Sequence, residues 1–429
     1  MSKDNKLVQS KGEGLIPELR FPGFLESWQI SSIGDVCKVY RGSALLKSDI
    51  NNNNGSEPCI HYGELFTKYD EVITKIYSKT DKCEGFRSEI GDILMPSSDV
   101  TPDGLAKASA IMIKNIILGG DINILRPKIN INSIFLSYLI NYYKSEIIKL
   151  VSGTTVKHIY PDQIITSRLP IVNNLLEQQK IASCLSSLDE AIEAHSQKLD
   201  LLKEHKKGLM QNLFPQEGET VPKLRFKEFE KDGEWITKQL DELCKLVRGP
   251  FGNALKKEIF VKEGYAVYEQ SHAIYSDFSS FRYYIKEDKF SELKRFCVMS
   301  GDLIMSCSGT MGKFAIIPQD YKDGVINQAL LKLTVKKGYD NLFIKTTLET
   351  ENIQNNLLLQ SAGGAIKNVV SVSRIKELEL LVPSIKEQQK ISSCLSSLDE
   401  LITAQAEKIE HLKLHKKGLM QGLFPKMNN

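Results

Sequence analysis

Residues 306–314 read SCSGTMGKF, with a lysine behind two glycines in the manner of a phosphate-cradling loop. That chemistry needs a longer glycine-rich turn and a hydroxyl after the lysine to hold magnesium. Here only Gly309 and Gly312 precede Lys313, and Phe314 stands where the hydroxyl belongs. Glu292-Leu293-Lys294 has the form of the end of a nuclease motif, but no Pro-Asp pair sits close before it. His158 and His272 are lone histidines, read as loop or core residues rather than catalysts. The eight cysteines form no CxxC pair, so neither a zinc site nor a dithiol redox centre is expected. No repeated or complementary set of acid, base and nucleophile exists. What the chain offers instead is recognition chemistry, in loops of Arg, Lys, Gln, Ser and Thr.

Those loops sit on a duplicated frame. EQQKIASCLSSLDE (177–190) returns as EQQKISSCLSSLDE (387–400), identical at 13 of 14 positions. HKKGLMQNLFP (205–215) returns as HKKGLMQGLFP (415–425), identical at 10 of 11. The repeat extends outward. PELRFPGF (17–24) echoes as PKLRFKEF (222–229), and SWQISSIGDVCKVYRG (27–42) as EWITKQLDELCKLVRG (234–249). GDILMPSS (91–98) echoes as GDLIMSCS (301–308), and Lys157 aligns with Lys367. Between these anchors the halves diverge: NNNNGSEPCIHYGEL has no recognisable counterpart in EIFVKEGYAVYEQSHAIY. The order is module, helix, module, helix.

Within a module, CKVY, AIMIKNIIL, FAIIP and LLKLTV read as strands. SIFLSYLINYYKSEIIKLV spaces its apolar residues as one amphipathic helix. Each module is therefore expected to be an α+β domain. The long repeats carry a narrower stripe: Ile181, Leu185, Leu188, Ile192, Leu199, Leu202, Leu209 and Leu213, matched by Ile391, Leu395, Leu398, Ile402, Ile409, Leu412, Leu419 and Leu423. Steps of three and four over roughly four heptads describe a coiled-coil seam. Each helix begins acidic and ends basic, so antiparallel pairing sets Asp189, Glu190, Asp399 and Glu400 against Lys206, Lys207, Lys416 and Lys417. At 1.5 Å per residue, roughly 35 residues make a bar of about 50 Å. A bar of that kind, related by a pseudo-twofold axis, would hold two readers on a duplex, whose successive turns lie about 34 Å apart.

The order of these motifs resembles the specificity subunit of a Type I restriction-modification enzyme, from about residue 17 onward. PELRFPGF and KKGLMQ.LFP are similar to the firmicute branch of that family. The polar N-terminus reads as a disordered tail over 1–16, and the resemblance implies target recognition domains over 17–175 and 216–385 and spacer helices over 176–215 and 386–425. It implies that each domain reads one half of a split, asymmetric site in double-stranded DNA. It further implies that two adenine-N6 methyltransferase subunits dock on the helix pair and that restriction-translocase subunits join them. The chain itself would be non-catalytic and would bind no cofactor; S-adenosylmethionine, ATP and magnesium would belong to partner subunits. The absence of an Asn/Asp-Pro-Pro-aromatic motif agrees.

Bases are read by bidentate Arg, Lys, Asn or Gln, and phosphates are held by Lys, Ser, Thr and amides. The first module offers Arg41, Lys47, His61, Tyr62, Ser97, Ser98, Lys107, Thr154, Thr155 and Lys157. The second offers Arg248, Lys256, Lys257, Gln270, Ser271, His272, Ser306, Ser308, Thr310, Lys313, Gln328, Gly363, Gly364 and Lys367. The repeated members, Arg41 with Arg248 and Lys157 with Lys367, suit phosphate. The unchanged polar runs Glu177, Gln178, Gln179, Lys180 and Glu387, Gln388, Gln389, Lys390 suit docking of two identical partners; helix capping is the plainer reading.

Composition sets the outer limits. The 429 residues suit two to four domains, and 41% apolar with 25% charged residues is ordinary for a globular chain. No window of 18 apolar residues is present, so no membrane span is expected. The N-terminal MSKDNKLVQSKGEG lacks the apolar segment of a secretory signal. Cysteines placed like small core residues suit the cytoplasm. A net charge of +3 argues against a stand-alone bipartite DNA binder, which would supply all its own phosphate contacts. A protein-binding coiled-coil scaffold is the remaining alternative.

Overall fold

Trp28 and Trp235, the aligned tryptophans of the two repeats, are 1% and 3% exposed. Each is met by a phenylalanine from the end of a long helix. Trp28 packs on Phe424 with ring centroids 6.2 Å apart, and Trp235 on Phe214 at 6.1 Å. The repeated LFP sequence is thus a core anchor.

The computed structural model describes residues 15–427 except 44, 53, 129, 253 and 363–370, with the backbone alone for 358–362. It divides into two compact units. The first takes the described residues of 1–196 and 407–429, the second those of 197–406. Each long helix, Leu175–Leu213 and Ile385–Leu423, therefore begins in one unit and ends in the other.

In the first unit, Gln29–Ser32 pairs antiparallel with Arg168–Ile171, clasping the two ends of the module just before the long helix. A five-stranded sheet runs in the order Cys37–Arg41, Ile122–Pro127, Asp92–Pro96, Ser109–Ile111, Val72–Ile73. Its central strand Asp92–Pro96 is buried at every position, as a strand covered on both faces must be. A second sheet holds Ser78–Thr80, Glu57–Ile60, Ile117–Leu118 and Phe86–Arg87, with Glu57–Ile60 and Ile117–Leu118 parallel. The helix Ser133–Tyr142 buries Phe135, Leu136 and Leu139 and is capped by Asn132, which accepts from the Phe135 amide at 2.8 Å.

The second unit repeats this plan. Ile236–Gln239 pairs with Glu379–Val382. One sheet runs Cys244–Arg248, Leu330–Val335, Leu303–Ser306, Phe314–Ile316; the other runs Tyr284–Ile285, Tyr265–Tyr268, Gly324–Ile326, its last pair parallel. Asp340 caps the helix Asn341–Leu348 through the Phe343 amide, also at 2.8 Å. The fold is α+β, with the two similar domains and two long helices expected from the repeat.

Several repeated motifs prove to be frame. Gly91 and Gly301 adopt φ of +90° and +84°, where a side chain is strained. The aspartate after each caps its own turn: Asp92 accepts from the Glu89 amide and Asp302 from the Met299 amide, both at 2.8 Å. Cys37 and Cys244 are buried, and burial pushes both thiols up to about 12.

The helix pairing can be read inside each unit. In the first, Lys416 near the end of one helix meets Asp189 near the start of the other at 2.7 Å. In the second, Lys206 meets Asp399 at 2.5 Å. Early residues meet late ones, so the helices run antiparallel. Lys206 and Lys416 are equivalent positions of the two HKKGLMQ repeats.

Some element boundaries differ from the sequence reading. The stretch 133–151 is two helices, Ser133–Tyr142 and Lys144–Ile148, because Tyr143 leaves the helical region at φ −92°, ψ 31°. AIMIKNIIL is two short strands in different sheets, Ser109–Ile111 and Ile117–Leu118, turned by the left-handed Asn115 at φ 65°. The segments around Glu57–Ile60 and Tyr265–Tyr268, which show no likeness in sequence, occupy the same place in the strand register.

Candidate nucleic-acid interface

The site in each unit is built where the parallel strand pair of the smaller sheet ends. In the first unit, Leu118 lies opposite Ile60, and the Gly119 amide donates to the Ile60 carbonyl at 3.0 Å. In the second, Ile326 lies opposite Tyr268, and the Asn327 amide donates to the Tyr268 carbonyl at 3.0 Å. The residues that follow are therefore side by side: His61 and Tyr62 beside Gly119 and Gly120, and Glu269 and Gln270 beside Asn327 and Gln328.

The repeated Arg-Gly pair supports both ends. Arg41 donates from Nε to the Gly120 carbonyl at 3.0 Å, and Arg248 does the same to the Gln328 carbonyl at 3.1 Å. A Cβ on Gly42 would lie 2.0 Å from the Gly119 oxygen, and one on Gly249 1.8 Å from the Asn327 oxygen. No side chain fits that approach. The two arginines thus hold backbone first, although both were expected at phosphate. Arg41 also pairs with Asp121 at 3.3 Å, and the Arg248 guanidinium lies 5.7 Å from the Phe251 ring centre.

The first turn after each pair is closed in the same way by different chemistry. Glu64 accepts from the His61 amide at 2.9 Å, and His272 Nδ1 accepts from the Glu269 amide at 2.8 Å. His272 is 3% exposed and its Nε2 faces the Ser280 carbonyl at 3.2 Å. It is a buried cap and cannot reach DNA, contrary to the expectation for it. His61 is half-buried. Its Nδ1 accepts from the Gly63 amide at 3.2 Å, so in the neutral ring the proton sits on Nε2. Burial holds its pKa below the ordinary value, against the opposing pull of Glu64 and Asp121.

Other expected contacts are corrected by burial. Ser306 is fully buried and its Oγ accepts from the Lys313 amide at 3.0 Å, closing the 306–313 loop. Ser97 is 2% exposed and its Oγ faces Asp121 at 3.4 Å. Lys107 turns its ammonium to the Tyr69 carbonyl, and burial lowers its pKa. These groups are spent on the fold.

The remaining candidates keep accessible surface. Lys47, Thr154, Thr155, Lys256, Lys257, Ser271, Ser308, Thr310, Lys313 and Gln328 are exposed. Tyr62, Ser98, Lys157 and Gln270 are half-buried. Ser98 and Lys157 share one short ribbon, in which Lys157 lies opposite Asp99 and His158 opposite Ser98, and Lys157 donates to the Gly153 carbonyl at 2.7 Å. Gly363, Gly364 and Lys367 lie outside the described residues. Glu269 and Asn327 stand outside the residues expected from the sequence. Their signal is their place directly after two paired strands.

The docking residues divide in two. Glu177 and Glu387 are 1% and 0% exposed, and each takes a paired guanidinium, from Arg20 and Arg225 respectively. Gln178 accepts from the Asn132 amide at 2.7 Å and Gln388 from the Asp340 amide at 3.0 Å, both buried. These four tie the helix starts to their own units and are not free for a partner. Gln179, Lys180, Gln389 and Lys390 are exposed, with Lys390 paired to Glu228 at 3.2 Å.

Among the described residues no group of three His, Cys, Asp or Glu side chains could hold a metal ion, and no helix is long and apolar enough to cross a membrane.

The sequence profile of the Type I restriction modification DNA specificity domain matches twice, over residues 25–204 and 232–414. The chain belongs to this family. It is a DNA specificity subunit with two specificity domains, and catalysis in such systems lies in other subunits. It is similar to two proteins of Methanocaldococcus jannaschii. The putative type I restriction enzyme MjaX specificity subunit is 24% identical over 93% of both chains. The MjaVIII specificity subunit is 23% identical over 95% of this chain and 93% of that one. In fold it resembles the S subunit of a Type I restriction-modification system from M. genitalium, with TM-score 0.60 and 16% identity over 96% of this chain and 100% of the other. A chain from a study of complex assembly and conformational transition of the type I R-M system gives TM-score 0.51 at 15% identity, covering 95% and 99%.

Proposed function

We propose that each domain of this specificity subunit reads one half of a split, asymmetric duplex DNA site, with the paired long helices acting as the spacer between half-sites. One observation carries this reading. The two units present the same strand-end frame, held by the same Arg-Gly pair, with unlike side chains at its tip. A frame retained under changed tips suits two readers of different sequences. Two methyltransferase subunits would dock on the helix pair near the exposed Gln179, Lys180, Gln389 and Lys390, and restriction-translocase subunits would join them. S-adenosylmethionine, ATP and magnesium would be held by those partners. The wording of PELRFPGF and KKGLMQ supports a firmicute branch of the family, and eight free cysteines, four of them buried, support a cytoplasmic setting.

The test is to co-express the chain with its methyltransferase subunit in a host that lacks adenine methylation, then map N6-methyladenine across the genome. One split motif, methylated on both strands and lost when the chain is omitted, is the expected result. No methylation from a stable complex would contradict the reading.

A further inference from the structure

The paired strand ends differ between units in a way that suits base reading more than phosphate binding. In the first unit His61 supplies a donor, Nε2–H, because its Nδ1 is occupied by the Gly63 amide. Tyr62 lies beside it, with ring centroids 4.5 Å apart and planes tilted by 46°, and the facing Gly119 and Gly120 bring no side chain. In the second unit the same place carries a carboxylate, Glu269, beside an amide, Asn327. The two line adjoining clefts of about 420 and 190 Å3, reached by Gln270 and Arg282 on one side and Gln328 on the other. Among the described residues no lysine or arginine forms an ion pair with Glu269. A carboxylate is repelled by phosphate, so on a DNA-facing surface its use is to accept from a base amino group, as cytosine N4 offers.

We propose that the positions directly after the parallel strand pair are the base-reading positions of this chain: His61 and Tyr62 in the first domain, Glu269, Gln270 and Asn327 in the second. The assignment rests on the specificity reading above. It gives the two half-sites opposite hydrogen-bond polarity at equivalent places. The first half-site presents an acceptor to His61, which guanine O6 or N7, thymine O4 or adenine N7 can supply. The second presents the cytosine amino group to Glu269 and an adenine edge to Asn327, which is suited to bidentate pairing there. The scaffold makes this possible. The Asn327 backbone is fixed by its bond to Tyr268 and by the close approach of Gly249, so its side chain starts from a set point.

The experiment maps N6-methyladenine in the same co-expression host for the full chain and for Glu269→Gln, Asn327→Ala and His61→Ala. Glu269→Gln preserves shape and serves as the variant least able to disturb folding. Co-purification of each variant with the methyltransferase subunit checks that the complex still forms. The expected result is that Glu269→Gln and Asn327→Ala relax one base position each in the same half of the motif. Each loses about 10- to 100-fold in discrimination, the worth of one good base pairing. His61→Ala relaxes a position in the other half only. Three variants that reproduce the wild-type motif with unchanged stringency overturn the assignment alone. A wild-type chain that directs no split-site methylation overturns the specificity reading and the assignment with it.

Discussion

Arg225 donates from both Nε and Nη2 to Glu387, each at 2.8 Å, and Arg20 holds Glu177 in the same way. Each pair fixes the start of a long helix to the LRF segment that opens its module. The Arg225 and Glu387 side chains are only 8% and 1% exposed. Removing one partner of a buried pair leaves an uncompensated charge, at a cost of about 3–5 kcal/mol. Arg225→Ala is expected to lower stability by about that amount, read from the urea midpoint of the second unit. Replacing both partners by leucine is expected to cost less than the single change.

The two helix ion pairs are not equal. Lys416 is 14% exposed and lies among Asp189 at 2.7 Å, Glu71 at 3.2 Å and the Tyr138 ring at 5.1 Å. Burial opposes its charge, but Glu71 and Asp189 outweigh this and hold its pKa above the ordinary value. Lys206 is 28% exposed and meets Asp399, itself 53% exposed. Lys416→Met is expected to cost about 3 kcal/mol and Lys206→Met less than about 1 kcal/mol. Parallel denaturation curves of the two variants check the order.

The Arg-Gly frame predicts a separation of reading from assembly. Gly249→Ala would drive a Cβ into the Asn327 carbonyl, and Gly42→Ala would do the same at Gly119. Each is expected to cut methylation at the cognate motif by at least about 10-fold through loss of reading in one half. Co-purification with the methyltransferase subunit is expected to persist. Single-molecule sequencing together with a pull-down gives both readouts.

His61 supplies a pH dependence. Its folded pKa is depressed, so the unfolded chain binds the proton more readily. Its contribution to stability is therefore present above the unfolded value of about 6.5 and is lost as pH falls through the lower folded value. Protonation also places a hydrogen on Nδ1, facing the Gly63 amide, which breaks that bond. Titration of the His61 ring by NMR is expected to show a midpoint below that of an ordinary histidine.

The repeat in the sequence already contains much of this architecture. Motifs identical in both halves, such as the Glu-Gln that opens EQQKI, Arg-Gly and GD, proved to be frame, since the same internal contacts recur in both units. The sequence pointed the other way at Glu177, Gln178, Glu387 and Gln388. Their repeated polarity suggested a shared partner, whereas buried bonds to Arg20, Arg225 and two backbone amides explain it. The reading positions were harder to find because nothing local marks them. CIHYGEL and VYEQSHA share no residues in register, and their equivalence rests on strand pairing across more than fifty residues of chain. His272 shows the converse: a polar residue in an apparent loop, it is the buried cap that replaces Glu64.

The most direct test of one domain per half-site is a module exchange. Residues 234–382 of this chain would be replaced by the matching segment of a specificity subunit with a different known target, and the methylated motif mapped. The account predicts a hybrid motif in which one half is unchanged and the other is that of the donor. A motif altered in both halves, or unaltered in either, would contradict it.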